Sequence, residues 1–421
     1  MAFVVYLLFA PLMWFPFDVE SCWLPWSRES QGLYPWRIYF QRTDCNYPPL
    51  VLYILTAQEA IRKALGAEEM GTLSVILTKV PNIAAHLSGS LIGYFCLRRL
   101  YDETYGRRFA FLYTLALPLF VNATLWGQAD ALLVLPMLCA VLFLMREKPI
   151  YAGIALGVAL TVKLQAVVIV PVLLVYAGRR FGVPTLLKAS AAGLAVMLAI
   201  CVPFLVAGAG EQMKKAYTDA AGYYPFRTLN TFNVWSLANY AEQEWLKVPG
   251  EIANKDNRPF IGALTYRDVS VAAFGLATLY LSSCVWRRPN PQTLAWCAAM
   301  SGWAFVMLCT QMHERYWVPG AMLMIVSAPR GWLPLLVALA AGATAAWNQW
   351  LVLVSNFLQY HTMPAFLKWT LDWGWGSSLV SVSAFNLLLL AVGFYYCERL
   401  ARQPQPEPAP ARLQNREGVS A

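Results

Sequence analysis

The sequence predicts an all-α polytopic membrane protein with about twelve transmembrane helices. Of its 421 residues 58% are hydrophobic and only 13% are charged, whereas roughly a quarter of the residues in an average soluble protein carry charge. The apolar residues form long runs that are separated by short basic clusters. Trp, Tyr and Pro concentrate in three long connecting segments, which is typical of chain that lies at a membrane interface. We therefore expect interfacial helices in these long loops.

A helix needs about 20 residues to cross the hydrocarbon core of a bilayer. The candidate spans are 3–17, 73–97, 109–125, 127–145, 150–163, 166–178, 187–208, 269–286, 293–310, 316–329, 332–350 and 379–397. Glycine and proline interrupt several of them, which is tolerated where neighbouring helices satisfy the freed backbone groups. The first span has no basic flank and no signal-peptide cleavage site, so we expect the natural chain to begin further upstream.

Basic residues indicate the orientation in the membrane. They are Arg98, Arg99, Arg107, Arg108, Arg146, Lys148, Arg179, Arg180, Lys188, Arg287, Arg288, Arg330, Arg399 and Arg402. These residues lie in the gaps between spans or after the last span. If the first span starts in the cytoplasm, all of these positions lie on the cytoplasmic side, where Lys and Arg are enriched. Since the net charge of +9 is spread over these loops, we expect no nucleic-acid partner.

The long segments 18–72, 209–268 and 351–378 then lie on the periplasmic or luminal side. We expect one transmembrane domain over 1–402 and a disordered, proline-rich cytoplasmic tail over 403–421. Apolar residues at helical spacing, Leu50, Tyr53, Ile54 and Ala57, predict an interfacial helix. Ordinary loops with aromatic anchors are the alternative.

Cysteine and histidine patterns give no sign of a metal site. The nine cysteines contain no CxxC or zinc spacing, and most lie inside apolar runs, where Cys behaves as a small apolar residue. Cys22 and Cys45 share the first outer loop, where a disulfide is possible.

Carboxylates mark both ends of the first outer loop. Asp18 follows the first span, and Asp44 and Tyr47 close the loop. A carboxylate at the lip of a lipid-facing cavity is partly desolvated and more basic, so it could take a proton from a hydroxyl nucleophile. A loop acid that caps a helix or pairs with a basic residue is the alternative.

Polar residues also occur at or within the spans. Trp126, Gln128 and Asp130 lie between two spans, and acids within membranes are costly enough to suggest a function. Residues Lys79, Asn82, His86 and Ser90 form one helical stripe, which should face the bundle interior or a wet cavity; packing between helices is the alternative. Lys163 and Gln165 end the fifth span at the outer face, where a snorkelling lysine is common.

Three ionisable residues in a row, His313, Glu314 and Arg315, lie at the outer mouth between two spans. Arg can bind a phosphate with two parallel hydrogen bonds, and His can donate to a leaving oxygen. The segment has no second His at zinc-binding spacing. An acid near Asp18 and a cation near Arg315 suit transfer from a phosphate-linked lipid donor.

At this point six motifs, in order along the chain, resemble those of one family. They are Asp18 with Trp23, Trp26 and Gly32; Tyr47-Pro48-Pro49-Leu50; Trp126-Gly127-Gln128-Ala129-Asp130; Lys163-Leu164-Gln165-Ala166; Asn230-Thr231-Phe232-Asn233-Val234-Trp235; and His313-Glu314-Arg315-Tyr316. The chain resembles the polyprenyl- or dolichyl-phosphate-sugar-dependent glycosyltransferases of the GT-C fold. It looks closest to bacterial relatives of the second mannosyltransferase of GPI-anchor synthesis.

The resemblance implies an inverting transfer of a hexose, usually mannose, to an acceptor hydroxyl, with no metal or other cofactor. The compact length favours a bacterial inner membrane over an endoplasmic reticulum membrane. The resemblance implies a periplasmic or luminal active site, with Asp18 as the general base. The remaining implied roles are acceptor orientation by Asp44, Tyr47, Trp126, Gln128 and Asp130, donor phosphate binding by Arg315, His313, Lys163 and Lys79, and support by Glu314, Gln165, Asn233 and His86. His86 stands where relatives often have an acid.

Two other classes of protein remain as alternatives. A transporter or flippase of lipid-linked sugars predicts charges near the midplane and related halves of the chain, whereas the charged motifs here lie at one face. A structural or assembly subunit would not need Asp18. The sequence does not name the acceptor.

Overall fold

The protein is described by a computed structural model that covers residues 1–30, 32–219, 222–362 and 365–403. The helices are α1 Ala2–Phe9, α2 Leu24–Arg28, α3 Arg37–Gln41, α4 Pro49–Ala64, α5 Thr72–Leu100, α6 Glu103–Thr114, α7 Leu117–Leu119, α8 Asp130–Met145, α9 Pro149–Val162, α10 Val170–Phe181, α11 Val183–Val206, α12 Gly210–Thr218, α13 Val234–Trp245, α14 Gly250–Ala253, α15 Tyr266–Arg287, α16 Pro291–Leu308, α17 Trp317–Met324, α18 Trp332–Phe357 and α19 Ala365–Arg402. The predicted tail lies, from residue 404 onward, outside the described residues.

Short irregular helices and strands connect these elements. Phe17–Trp23 and Phe120–Trp126 are π-helical, and Leu164–Ile169, Glu314–Tyr316 and Ala328–Arg330 are 3₁₀-helical. The strands are β1 Thr228–Leu229, β2 Pro259–Ile261, β3 Leu264–Thr265 and β4 Met312–His313. The parallel pair β1–β4 joins the second long outer segment to the segment that carries His313.

Within the described residues, seven helices are long and apolar enough to cross a membrane. They are 72–100, 103–126, 164–181, 183–206, 266–287, 332–357 and 378–402. Two shorter apolar helices, α8 and α9, add to the bundle. The prediction of an all-α, multi-pass membrane protein is confirmed, while the number of twelve spans stays a prediction.

Two predicted boundaries differ from the structure. The span 3–17 is not one helix, because α1 ends at Phe9 and a turn follows before the π-helix at Phe17. Pro11 and Pro16 explain the break, since proline lacks the amide hydrogen that a continuous helix needs. The predicted outer loop 351–378 is mostly helical, because α18 continues through the apolar residues up to Phe357 and α19 begins at Ala365.

The interfacial segment 49–64 is helical as predicted, but a different face is buried. Val51, Leu52 and Leu55 are almost completely buried, whereas Leu50 and Tyr53 are only partly covered. The helix therefore packs on the transmembrane bundle through Val51, Leu52 and Leu55. Cys22 and Cys45 are free thiols, so the disulfide considered above does not form in this structure.

Helices α9 and α11 approach each other through small residues. A Cβ atom on Gly153 would lie 2.0 Å from the carbonyl oxygen of Ala189, and one on Gly157 would lie 2.2 Å from that of Gly193. Both pairs repeat at a spacing of four residues, as in the small-residue interfaces of membrane helices. Any side chain at Gly157 would force the two backbones apart.

We expect Gly157→Ala to lower the thermal unfolding temperature of the detergent-solubilised protein, because overpacking of a tight interface typically costs about 1–3 kcal/mol. The matched control is Gly275→Ala in α15, where an added Cβ would meet open space. Light-scattering or fluorescence melting curves measure the effect. Equal unfolding temperatures for the two variants would show that α9 and α11 do not depend on this contact.

Candidate active site

Two π-helices build the centre of the site. Asp18 lies on the π-helix Phe17–Trp23, and Trp126 ends the π-helix Phe120–Trp126. Such wide turns are rare and occur mostly at functional sites. Gly127 follows with a φ of 89°, a left-handed conformation that glycine adopts at no steric cost. This turn allows Trp126 and Gln128 to point toward the same carboxylate.

The Asp18 carboxylate is held by two donors. The indole Nε1 of Trp126 and the amide Nε2 of Gln128 each donate to Asp18 Oδ2 at 2.7 Å. Asp18 as a whole is 8% exposed. Both bonds fall on the same oxygen, so the second oxygen keeps its lone pairs for another partner.

Gln128 links Asp18 to the first outer loop. Its carbonyl oxygen accepts a hydrogen bond from the hydroxyl of Tyr47 at 2.8 Å and another from the amide of Ala129 at 2.8 Å. The orientation of its amide group is therefore determined from both ends. Tyr47, Gln128 and Asp18 form one hydrogen-bonded chain, so the structure brings these three residues together.

A buried ion pair lies beside this chain. Asp130 is completely buried, and its Oδ1 lies 2.7 Å from the ammonium of Lys163. The other oxygen accepts a hydrogen bond from Asn122 at 3.0 Å. The Lys163 ammonium also lies 4.7 Å from the centre of the Tyr316 ring, which favours a cation. Thus the charges of Asp130 and Lys163 neutralise each other.

The structure does not bring Lys79 to this site as a phosphate ligand. Its side chain is completely buried, and its ammonium donates to the carbonyl oxygens of Ala10, Met13 and Leu125. An ammonium has only three hydrogens to donate, so all of them are used. The observed role of Lys79 is to join the segment before Asp18 to the segment before Trp126.

The segment 312–316 supplies the predicted cation. The Arg315 guanidinium lies 3.1 Å from Glu314 Oε1, and the His313 ring lies 3.8 Å from Glu314 Oε2. Burial opposes the charge of Arg315, but the carboxylates of Asp18 and Glu314 hold its pKa well above its usual value. The Nε atom of Arg315 is buried without a hydrogen-bond partner in the described part of the chain.

Burial and the Arg315 charge lower the pKa of His313, so its imidazole is neutral at pH 7. Burial raises the pKa of Glu314, but its interactions with His313 and Arg315 outweigh burial and keep that pKa below its usual value. Glu314 is therefore ionised and compensates the charge of Arg315.

A cavity of about 340 Å³ lies between Lys163 and the segment that carries His313 and Arg315. Its volume is within the size range of ligand pockets. It is lined by Tyr47, Lys163, Gln165, His313, Arg315 and Tyr316 among the residues considered above, and by Tyr223, Tyr224, Arg267 and Gln311. Asp18 does not line the cavity itself, but Gln128 joins it by hydrogen bonds to Tyr47 of the cavity wall.

Besides Lys79, three further predicted residues lie elsewhere. Asp44 lies on the exposed part of the first outer loop and pairs with Arg42 at 2.9 Å. His86 is buried in α5, where its ring contacts the carbonyl oxygen of Tyr113 at 2.7 Å. Asn233 caps the start of α13 and donates to the carbonyl oxygen of Val306 at 3.0 Å. These contacts stabilise the fold, and none of the three lines the cavity.

Sequence reasoning missed several residues that organise the site. Gln349 of α18 accepts from Asn122 at 3.0 Å, and Asn348 accepts from the indole of Trp317 at 3.2 Å. Two adjacent amides inside an apolar span are a signal that could have identified them. Arg267 offered no such signal, because a lone arginine at the end of a span is common.

The family model of glycosyltransferase family 87 matches residues 47–310. The chain belongs to glycosyltransferase family 87. The matched region includes Tyr47, the Trp126–Asp130 motif and Lys163, whereas Asp18 and Arg315 lie outside it. No protein of curated function has a matching sequence.

Two solved structures resemble this family 87 member. They are crystal structures of ArnT from Cupriavidus metallidurans, one in the apo state and one bound to undecaprenyl phosphate. Each has a TM-score of 0.52, with identities of 16% and 17%. The alignments cover 94% and 95% of this chain and 73% and 74% of the ArnT chains. The similarity confirms the GT-C fold.

We expect Lys163→Met to lower the thermal unfolding temperature in detergent, because removal of one partner from a buried ion pair typically costs about 3–5 kcal/mol. The double variant Asp130→Asn with Lys163→Met removes both charges and should recover most of this loss. Melting curves of wild type, both single variants and the double variant measure the coupling. Additive losses in the double variant would show that the two charges do not stabilise each other.

Proposed function

We propose that this family 87 glycosyltransferase moves a hexose from a polyprenyl-phosphate donor to an acceptor hydroxyl with inversion at the anomeric carbon. The sugar proposed is mannose, on the ground of the motif resemblance. The observation that carries the proposal is the Asp18 carboxylate, which Trp126 and Gln128 orient and whose charge acts on Arg315, a residue of the cavity wall.

In the proposed reaction Asp18 acts as the general base. It takes the proton of the acceptor hydroxyl while the hydroxyl oxygen attacks the anomeric carbon. The bond between this carbon and the phosphate oxygen breaks, and the polyprenyl phosphate leaves with the electron pair. Attack from the face opposite the phosphate inverts the configuration. Trp126 and Gln128 hold Asp18 in position for this proton transfer, and Tyr47 holds Gln128.

Arg315 is the proposed ligand of the departing phosphate. Its Nε atom is buried without a hydrogen-bond partner in the described part of the chain, and a guanidinium suits a phosphate because it can form two parallel hydrogen bonds. His313 and Lys163 line the same cavity. Neutral His313 can donate one hydrogen bond, and Lys163 remains paired with Asp130.

The other proposed roles follow from the observed contacts. Asp130 orients Lys163, Glu314 orients Arg315, and Gln165 donates to the carbonyl oxygen of Tyr316 at 3.1 Å. Asp44 pairs with Arg42, outside the cavity, so an acceptor contact by Asp44 would require an acceptor that extends along the first outer loop. The structure gives Lys79, His86 and Asn233 stabilising contacts instead.

A polyprenyl-phosphate lipid is the proposed donor, and this is supported by the ArnT structure with bound undecaprenyl phosphate. We further propose a bacterial inner membrane, with the cavity on the periplasmic side opposite the basic loops. The acceptor is a hydroxyl group of a glycan, lipid or protein. Membership of a glycosyltransferase family favours this function over the transporter.

We expect Asp18→Asn to lower the rate of sugar transfer about 10²–10⁴-fold, the usual contribution of a general base. The matched control is Glu20→Gln, because Glu20 lies on the same π-helix but bonds to Trp14. Transfer of radiolabelled mannose from polyprenyl-phosphate mannose to membrane-fraction acceptors measures the rates. Full turnover by Asp18→Asn would refute the assignment of the base. If the wild type transfers another hexose from its polyprenyl-phosphate donor but does not transfer mannose, the proposed sugar is wrong.

A further inference from the structure

The basic residues of the cavity give it little net positive charge, because carboxylates lie next to them. Lys163 is paired with Asp130 at 2.7 Å, and Arg315 lies 3.1 Å from Glu314. Asp18 adds a negative charge close enough to raise the pKa of Arg315. These five groups sum to one negative charge.

A phosphate-linked donor carries a negative charge itself, so this set of groups would repel it. Electrostatic repulsion is strong where water is largely excluded. A further cation is needed for the proposed donor to bind. His313 does not supply it, because its burial keeps the ring neutral at pH 7.

Arg267 is the remaining cation in the cavity wall. It lies in the first turn of α15 and is exposed. The charge of Arg267 acts on the adjacent Asp268, but no carboxylate of the described residues forms an ion pair with Arg267. Its guanidinium is therefore available to an anionic ligand.

The backbone around Arg267 is fixed against the segment that carries Arg315. The amide of Arg267 donates to the carbonyl oxygen of Asp256 at 3.0 Å. The buried Asp256 carboxylate accepts hydrogen bonds from Thr310 at 3.2 Å and from Gln311 at 2.6 Å. The backbone of Gln311 has a φ of 64°, in the left-handed region. Asp256 thereby ties the Arg267 region to residues 310–311, a few residues before Arg315.

An apolar opening lies next to Arg267. Val271, one helical turn further along α15, lines the cavity and is 59% exposed. Val167, on the 3₁₀ segment Leu164–Ile169, also lines the cavity and is 48% exposed. Both residues belong to candidate membrane spans, where exposed apolar side chains are expected to face lipid. The cavity thus has an apolar exit toward the bilayer with a cation at its rim.

We propose that Arg267 binds the phosphate of the polyprenyl-phosphate ligand at this lateral opening, and that the lipid chain passes into the bilayer between Val167 and Val271. This inference rests on the proposed function and adds the site at which the lipid is held. Arg315 then contacts the phosphate from the inner side of the cavity and Arg267 from the membrane side.

The binding test uses undecaprenyl phosphate and the full-length protein in detergent. We expect Arg267→Gln to weaken binding about tenfold or more, since a hydrogen bond to a charged group is worth that much. Arg267→Lys should retain most of the affinity. The control Lys214→Gln removes another outer-face charge, one that lies 3.8 Å from Glu211, and should bind like the wild type. Equal affinity of Arg267→Gln and wild type would overturn the proposal.

A second pair of variants tests the opening. Val271→Trp should narrow it and raise the KM for a long-chain donor at least fivefold, with less effect on a water-soluble donor that carries a short prenyl chain. Leu276→Trp is the control, because Leu276 is 69% exposed on the same helix and does not line the cavity. Equal effects of Val271→Trp on both donors would contradict a lipid path at this position.

The two proposals fail in different ways. If the wild type binds undecaprenyl phosphate through Arg267 but transfers no sugar from any polyprenyl-phosphate hexose, the transferase function is wrong and the lipid site stands. If the wild type transfers sugar and Arg267→Gln binds and transfers equally well, the lipid site is wrong and the transferase function stands.

Discussion

One buried ammonium group holds the centre of this protein together. Lys79 is completely buried in α5 and donates to the carbonyl oxygens of Ala10, Met13 and Leu125. These carbonyls belong to the two places where the apolar segments stop being regular helices. In a bilayer such free backbone groups have no water to bind, so the three hydrogen bonds from Lys79 compensate for the missing backbone partners. Lys79 thus joins the segments that carry Asp18 and Trp126, in addition to the hydrogen bond that Trp126 donates to Asp18.

The irregular backbone that Lys79 supports is also what shapes the site. Two π-helices, two 3₁₀ turns and the left-handed Gly127 all lie beside the cavity or the Asp18 carboxylate. Irregular backbone at membrane depth is tolerated where protein buries it or where it borders a wet cavity. The breaks near Asp18 and Trp126 therefore have a physical reason, since the backbone there allows Trp126 and Gln128 to donate to the Asp18 carboxylate.

Electrostatic balance is the second constraint on the site. Lys163 and Arg315 are each paired with a buried carboxylate, which fixes their positions but cancels much of their charge. Pre-positioned side chains of this kind favour a transition state because little reorganisation is needed. The cost is that affinity for an anionic lipid must come from another group. Arg267 provides that charge at the rim, where a lipid headgroup first meets the protein.

The amino-acid order alone determined the class of fold, the bundle of apolar helices and the candidate motifs Trp126–Asp130, Lys163–Gln165 and His313–Tyr316. It could do so because each apolar run interacts with lipid independently of the others, so composition and local spacing carry the signal. Only the tertiary structure decided which polar side chains meet. Lys79 and His86 share a helical stripe in the sequence, yet they bind backbone carbonyls, whereas Arg267 carries no motif and lines the cavity. A side chain's partner depends on distances between segments far apart in the chain, and those distances are set by helix packing.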